Sequence, residues 1–146
     1  FECHLGVFQG DSLSPLIFSL HVNDLEDHMV LNGCKGIDKG CLKLFFLLYA
    51  DDIVIFSETE EGLQEGLNVL SKYCEKWKLV VNVNKTKVMV FRKRGRLMRE
   101  LRFYYNNNGV EIVSQYMYLG IVFTTGESFK QTFDSLHGQS LKVYLS

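Results

Sequence analysis

The spacing of apolar and polar positions changes several times along this chain, and each change marks an element. From Pro15 onward Leu16, Ile17, Leu20, Leu25 and Met29 make an apolar stripe, interrupted by Asn23, Asp24 and Asp27. That spacing predicts an amphipathic helix of about four turns, with Ser12 or Ser14 as its cap and Pro15 in its first turn. Gly33 and Gly36 end it, and the stretch to Gly40 reads as a turn-rich connector. Phe45-Phe46-Leu47-Leu48-Tyr49-Ala50-Asp51-Asp52-Ile53-Val54-Ile55-Phe56 follows, two β-branched and aromatic runs meeting at a doubled acid. As a buried helix this run would carry two ionised carboxylates without partners, at high cost. It reads instead as two buried strands of a hairpin, roughly Cys41 to Ser57.

Glu58, Thr59, Glu60 and Glu61 then load acids onto the start of a second helix, where the helix dipole favours them. Leu63, Leu67, Leu70, Cys74 and Trp77 mark its buried face. Asn82 and Asn84 form a polar turn, and Val88–Phe91 a short apolar strand. Strands at about Arg102–Tyr105 and Val110–Val113 flank Asn106-Asn107-Asn108-Gly109, whose Asn-Gly pair is a strong hairpin signal. Tyr118–Phe123 is expected as one further strand, and Phe129 to Leu145 as a helix. The order helix, two strands, helix, strand from Pro15 to Phe91 makes the expected class α+β. One strand placed ahead of it would complete the split βαβ pattern of a ferredoxin-like sheet. That strand would lie centrally, and without it Val88–Phe91 and one side of the hairpin would have unpaired edges.

Composition changes this picture in two places. With 146 residues, 47% hydrophobic, the chain can bury a real core. No window of about 18 uncharged apolar residues exists, so no membrane span is expected, nor a secretory leader. Cys3, Cys34, Cys41 and Cys74 form no CxxC pair, which points to reduced intracellular thiols. The net charge of −1 argues against a nucleic-acid partner until its distribution is seen. Eight of the sixteen Lys and Arg fall between Lys85 and Arg102, against one acid, Glu100. The chain opens on Phe1 rather than Met, and it reads as a piece of a longer reading frame.

An Asp-Asp turn alone is unremarkable, since Asp is a common turn residue. Two acids at a rigid tip gain a chemical reason when a divalent cation supplies the missing charge. The neighbouring motifs give them a context. Tyr49-Ala50-Asp51-Asp52 resembles the catalytic hairpin of reverse transcriptases. Gln9-Gly10-Asp11-Ser12-Leu13-Ser14-Pro15-Leu16-Ile17-Phe18 is similar to their template- and nucleotide-contacting loop and helix. Asn84-Lys85-Thr86-Lys87 resembles the fourth palm motif, and Tyr118-Leu119-Gly120 the primer-grip segment. The wording from Leu48 to Ser57, the Trp77 helix and the Lys-Thr-Lys strand resemble the non-LTR, LINE-type retrotransposon polymerases.

The resemblance implies an incomplete ferredoxin-like polymerase palm over residues 1–113, lacking its first strand. Residues 114–146 would hold the primer grip and the start of a thumb. It implies Mg2+ in a two-metal site with Asp51 as ligand and Asp52 supporting it. The two ions, roughly 3.5–4 Å apart, would stabilise the attacking primer oxygen and the leaving pyrophosphate. Gln9, Gly10, Ser14 and Pro15 would meet nucleotide and template. Lys85 would neutralise or protonate the pyrophosphate, with Lys87 second in line. Tyr118, Leu119 and Gly120 would steer the primer. The implied partners are RNA template, DNA primer, deoxynucleoside triphosphates and the remainder of a longer polymerase chain, in the nucleus. Phe8 departs from the family, which usually carries a basic residue there, and an apolar ring cannot hold phosphate as a guanidinium does. The metal-binding Asp of the first palm motif would lie before Phe1; Asp11, Asp24 and Asp27 are no obvious substitutes. The alternative is a catalytically dead or repurposed remnant whose Lys85–Arg102 patch binds nucleic acid.

Overall fold

The structure, a computed structural model, describes residues 12–38, 43–44, 46–91 and 100–125. It forms two compact units, Phe1–Val80 and Val81–Ser146. In the first, the stripe after Pro15 folds into two helices instead of one, α1 (Ser14–His21) and α2 (Leu25–Leu31). Neither Ser12 nor Ser14 caps α1. Its N-cap is Leu13, which makes no side-chain cap bond, while Ile17 N donates to the Leu13 carbonyl at 3.0 Å. The chain turns at Val22-Asn23-Asp24, where Asn23 and Asp24 carry short polar side chains of the kind that compete with helical backbone bonds. The break also divides the expected stripe. Leu25 and Met29 are buried, together with Val22, whereas Leu16, Ile17 and Leu20 of α1 are exposed.

Two short ladders follow. β1 (Ile37–Asp38) pairs with β2 (Lys43–Leu44), inside the stretch expected to be connector and hairpin start. β3 (Phe46–Tyr49) and β4 (Asp52–Ile55) then form an antiparallel hairpin of their own. Next comes α3 (Glu60–Trp77), which starts as its sequence predicts. The Thr59 hydroxyl accepts from Gly62 N at 3.0 Å, and Glu60 and Glu61 occupy the first turn. Its buried face holds Leu67, Leu70 and Cys74 as expected, and adds Val69 and Tyr73. At Gly66 the helix comes close to both neighbours: a Cβ there would lie 3.4 Å from Ile55 Cγ2 and 3.9 Å from Met29 Cε. A residue without a side chain therefore lets α3 approach α2 and the acid-bearing hairpin together.

Tyr73 closes this unit. Its ring is 0% exposed, and its hydroxyl donates to Asp24 Oδ1 at 2.5 Å, with the His21 carbonyl at 3.5 Å. Asp24, expected on an exposed helix face beside Asp27, is half-buried because the helix break turns it toward this phenol. His28 and Trp77 pack on the Tyr73 ring, with centroids at 5.2 and 6.2 Å. His21 meets Trp77 edge-on at 5.1 Å.

The second unit begins with the Asn82–Lys85 turn, in which Thr86 Oγ1 donates to the Asn82 carbonyl at 2.9 Å. β5 (Lys87–Val88) is shorter than the expected Val88–Phe91 strand. It runs parallel to β7 (Asn108–Ile112), which also pairs antiparallel with β6 (Phe103–Tyr105). The sheet order is β5-β7-β6, while β3 and β4 stand alone in a two-stranded sheet. α+β is therefore the class, but the described strands do not form one ferredoxin-like sheet. β7 pairs with one side of β5, which remains an edge strand of its sheet, as expected of the Val88 strand.

The β6–β7 hairpin turns at Asn106-Asn107, both left-handed with φ of 45° and 64°, and not at Asn108-Gly109. Paired φ > 0 residues give the twist that two-residue hairpin turns need. Register decides the position: it sets Phe103 opposite Val110, so that both apolar side chains are buried with Tyr105 and Val88. The single strand expected at Tyr118–Phe123 is a second hairpin, β8 (Gln115–Tyr118) and β9 (Ile121–Thr124). Leu119 and Gly120, with φ of 50° and 78°, turn between them. The helix expected at Phe129 to Leu145 lies outside the described residues.

Burial and the Asp24 carboxylate together push the Tyr73 phenol well above its ordinary value of about 10. A group whose folded pKa is raised adds stability that is complete below its unfolded pKa and disappears as pH climbs toward the folded one. Urea titrations should therefore show stability falling above about pH 10. Tyr73→Phe should cost about 1–3 kcal/mol at neutral pH, by stranding Asp24, and should remove that alkaline component. An unchanged alkaline profile in the variant would contradict this assignment.

Candidate active site

The candidate site is built on the β3–β4 hairpin. Tyr49 pairs with Asp52, which leaves Ala50 and Asp51 as a two-residue loop. Ala50 takes a φ of 51°, a left-handed conformation in which its Cβ crowds the following carbonyl. One residue in this state costs on the order of 1–3 kcal/mol, and such strain persists only where the surrounding structure enforces it. Four register pairs enforce it here, from Phe46↔Ile55 to Tyr49↔Asp52.

The strands are less buried than expected. Phe46 and Leu48 are half-buried on one face, whereas Leu47 and Tyr49 on the other are exposed. The tip itself is open: Asp51 and Asp52 are both exposed. Among the described residues neither carboxylate has an ion pair or a hydrogen-bonding side chain. Two like charges on adjacent residues, unopposed and presented by a strained turn, form a hard-oxygen donor pair. Mg2+ is commonly held by one or two carboxylates, with water and phosphate completing its shell, so the donor set suits that ion. Among the described residues no group of three or more His, Cys, Asp or Glu gathers as a metal site, at this tip or elsewhere, so the two carboxylates are all that this chain's described part offers such an ion.

The remaining sequence-derived residues distribute as follows. Ser14 and Pro15 open α1 in the first unit; Ser14 is half-buried and Pro15 exposed. Gln9 and Gly10, like Phe8 and Asp11, lie outside the described residues. Lys85 is an exposed turn residue of the second unit, its backbone N–H bonded to the Asn82 carbonyl at 3.1 Å. Lys87 is differently placed. Its ammonium lies 2.7 Å from Glu111 Oε2 and 2.7 Å from the Asn84 carbonyl, held across β5 and β7. Tyr118 ends β8 half-buried, and Leu119 and Gly120 are the exposed turn. Sequence reasoning missed Glu111, whose pairing with Lys87 depends on a parallel register that no local pattern encodes. It also missed the strain at Ala50, because left-handed alanine leaves no trace in composition.

Known proteins with related sequences carry this further. The RNA-directed DNA polymerase from mobile element jockey of Drosophila funebris is 26% identical over 137 residues, covering 90% of this chain and 14% of that protein. The Retrovirus-related Pol polyprotein from type-1 retrotransposable element R2 of Nasonia vitripennis is 33% identical over 97 residues, 58% of this chain and 9% of that protein. The probable RNA-directed DNA polymerase from transposon BS of Drosophila melanogaster is 37% identical over 87 residues, 56% of this chain and 9% of that protein. The chain thus spans only about a tenth of the length of these relatives, between 9% and 14%. No solved structure matches it. The family model described as reverse transcriptase (RNA-dependent DNA polymerase) matches residues 1–123, and it establishes that the chain belongs to the reverse transcriptase family.

Proposed function

We propose that this chain is the palm segment of an RNA-directed DNA polymerase, extending a DNA primer on an RNA template as part of a longer polypeptide. The observation that carries the proposal is the hairpin tip: two exposed, adjacent, unopposed carboxylates, one on a strained two-residue turn and the other on the strand residue that follows it. Asp51 is the metal ligand and Asp52 supports it. These two carboxylates would hold Mg2+, which would supply electrostatic stabilisation of the negative charge that develops in nucleotidyl transfer.

The chain's own residues do the rest by position and charge. Gln9, Gly10, Ser14 and Pro15 are assigned to contact with the incoming nucleotide and the template. Lys85, exposed and unshared among the described residues, brings a cation to the departing pyrophosphate. Lys87, held by Glu111, is poorly suited to that task. Tyr118, Leu119 and Gly120 steer the primer strand. The palm extends through residues 1–113, and residues 114–146 begin the primer grip and thumb. No helix among the described residues is long and apolar enough to cross a membrane, and the nucleus is the proposed site of action. A second reading, a catalytically dead or repurposed remnant that only binds nucleic acid, is favoured by the run of eight basic residues between Lys85 and Arg102.

Primer extension with Mg2+, by a polymerase carrying this segment, separates the two. Asp51→Asn should lower extension by at least about 10²-fold while leaving the thermal midpoint in place. Full activity in that variant would sink the catalytic assignment. Ala50→Gly should raise stability by roughly 1 kcal/mol, because glycine adopts the left-handed turn without strain. Denaturation should show that gain, and extension assays on the same preparation should show a slower rate, since a loosened turn no longer fixes the carboxylates.

A further inference from the structure

The exposed face of the β5-β7-β6 sheet lies outside the machinery described so far. Exposure alternates along its edge: Arg102 and Tyr104 face out, while Phe103 and Tyr105 are buried. Tyr104 stands directly opposite Gly109 on β7, so its cross-strand neighbour has no side chain to cover the ring. The space is open, because a Cβ built on Gly109 would meet nothing within 4 Å. The tyrosine remains 45% exposed. Arg102 lies beside it, its guanidinium 2.8 Å from Glu100 Oε2. Leu101, Arg102, Tyr104 and Gly109 contribute to an open groove of about 400 Å³.

We propose that Tyr104, flanked by Arg102, is a stacking platform for one unpaired base of a single-stranded nucleic acid. The proposal rests on the nucleic-acid partner assigned in the preceding section and adds where a base is held. An exposed aromatic ring with an arginine plane beside it is the chemistry that unstacked bases seek, and it tolerates any base because each has a π-face. A glycine opposite the ring is what such a platform requires, because any side chain there would fill the place of the base. On the sheet face itself Glu100 pairs with Arg102 and Glu111 with Lys87, so the face is close to neutral. Stacking, not ion pairing, is therefore its contribution.

Three substitutions test this without touching the core, using this chain and a labelled short oligouridylate, with an abasic oligonucleotide of equal length as the comparison. Tyr104→Ala should weaken oligouridylate binding roughly tenfold, within the range of about 5- to 150-fold that one lost base stack produces. It should leave the salt dependence unchanged, since no phosphate contact is lost. Gly109→Val should weaken binding comparably while the thermal midpoint holds or rises, because a β-branched residue suits a strand position with open space. Tyr104→Trp should restore binding, with quenching of the indole fluorescence. Equal affinity for the abasic oligonucleotide, or variants that bind as tightly as the parent, would overturn the platform and leave the polymerase assignment standing. A chain that binds no oligonucleotide overturns the platform as well. The catalytic reading is then decided separately by primer extension with Asp51→Asn.

Discussion

A single buried phenol organises the first unit. Tyr73 reaches from the last turns of α3 to the corner where α1 gives way to α2, and there it bonds Asp24 at 2.5 Å. A hydroxyl buried without a partner would cost folding free energy, and the carboxylate it finds is available only because the helix breaks. The break and the bond are therefore one event. Once the corner is set, α2 presents Leu25 and Met29 to α3, and Gly66 lets α3 approach Met29 and Ile55 together. Ile55 is the last residue of the strand that begins at Asp52. The register of the hairpin, and with it the placement of the acids, is thus tied to the same core.

At the hairpin tip the energetics run the other way. A left-handed alanine costs stability, which the four register pairs of the hairpin have to outweigh, and two adjacent unopposed carboxylates repel. Folds retain such features where the chemistry uses them. The two costs share a remedy only if a cation is bound, because positive charge relieves the repulsion and gives a fixed turn something to orient. For that reason the tip outweighs every other cluster of the described chain as a candidate active site.

Elements whose signals are local were legible. α3 has its threonine cap, its acidic first turn and its apolar period in one continuous stretch, and Asp51-Asp52 is adjacent by covalent chemistry. The motifs that resemble reverse transcriptases are likewise short and contiguous. What failed depends on partners distant in sequence. Asn23 and Asp24 sit on the polar side of the α1–α2 stripe and fit a continuous helix equally well; the residue that favours the break, Tyr73, lies 49 positions away from Asp24. The β6–β7 hairpin was visible, but its turn was not, because the burial of Phe103 against Val110 outranks the local preference of Asn-Gly. Tyr118–Phe123 looked like one strand because Leu119 interrupts neither the apolar run nor the strand propensity; its positive φ comes from the turn it makes with Gly120.

The two lysines of the Lys85-Thr86-Lys87 segment show how the same long-range pairing sorts function. By composition they are interchangeable, and both lie in the motif proposed to bring a cation to developing negative charge. Parallel pairing of β5 with β7 sets Lys87 opposite Glu111, and the Asn84 carbonyl takes a second of its three donors. An ammonium shared between a carboxylate and a carbonyl would have to break both contacts to reach an anionic ligand. Lys85 precedes the strand by two residues and lies in the turn, where its backbone is anchored on Asn82 and its side chain faces solvent. Anchoring the backbone while leaving the charge unshared is the arrangement that suits a cation required only when negative charge appears. The Lys87–Glu111 pair bridges β5 and β7 two residues beyond Lys85, so the paired lysine marks where the sheet begins and the unpaired one where the turn ends.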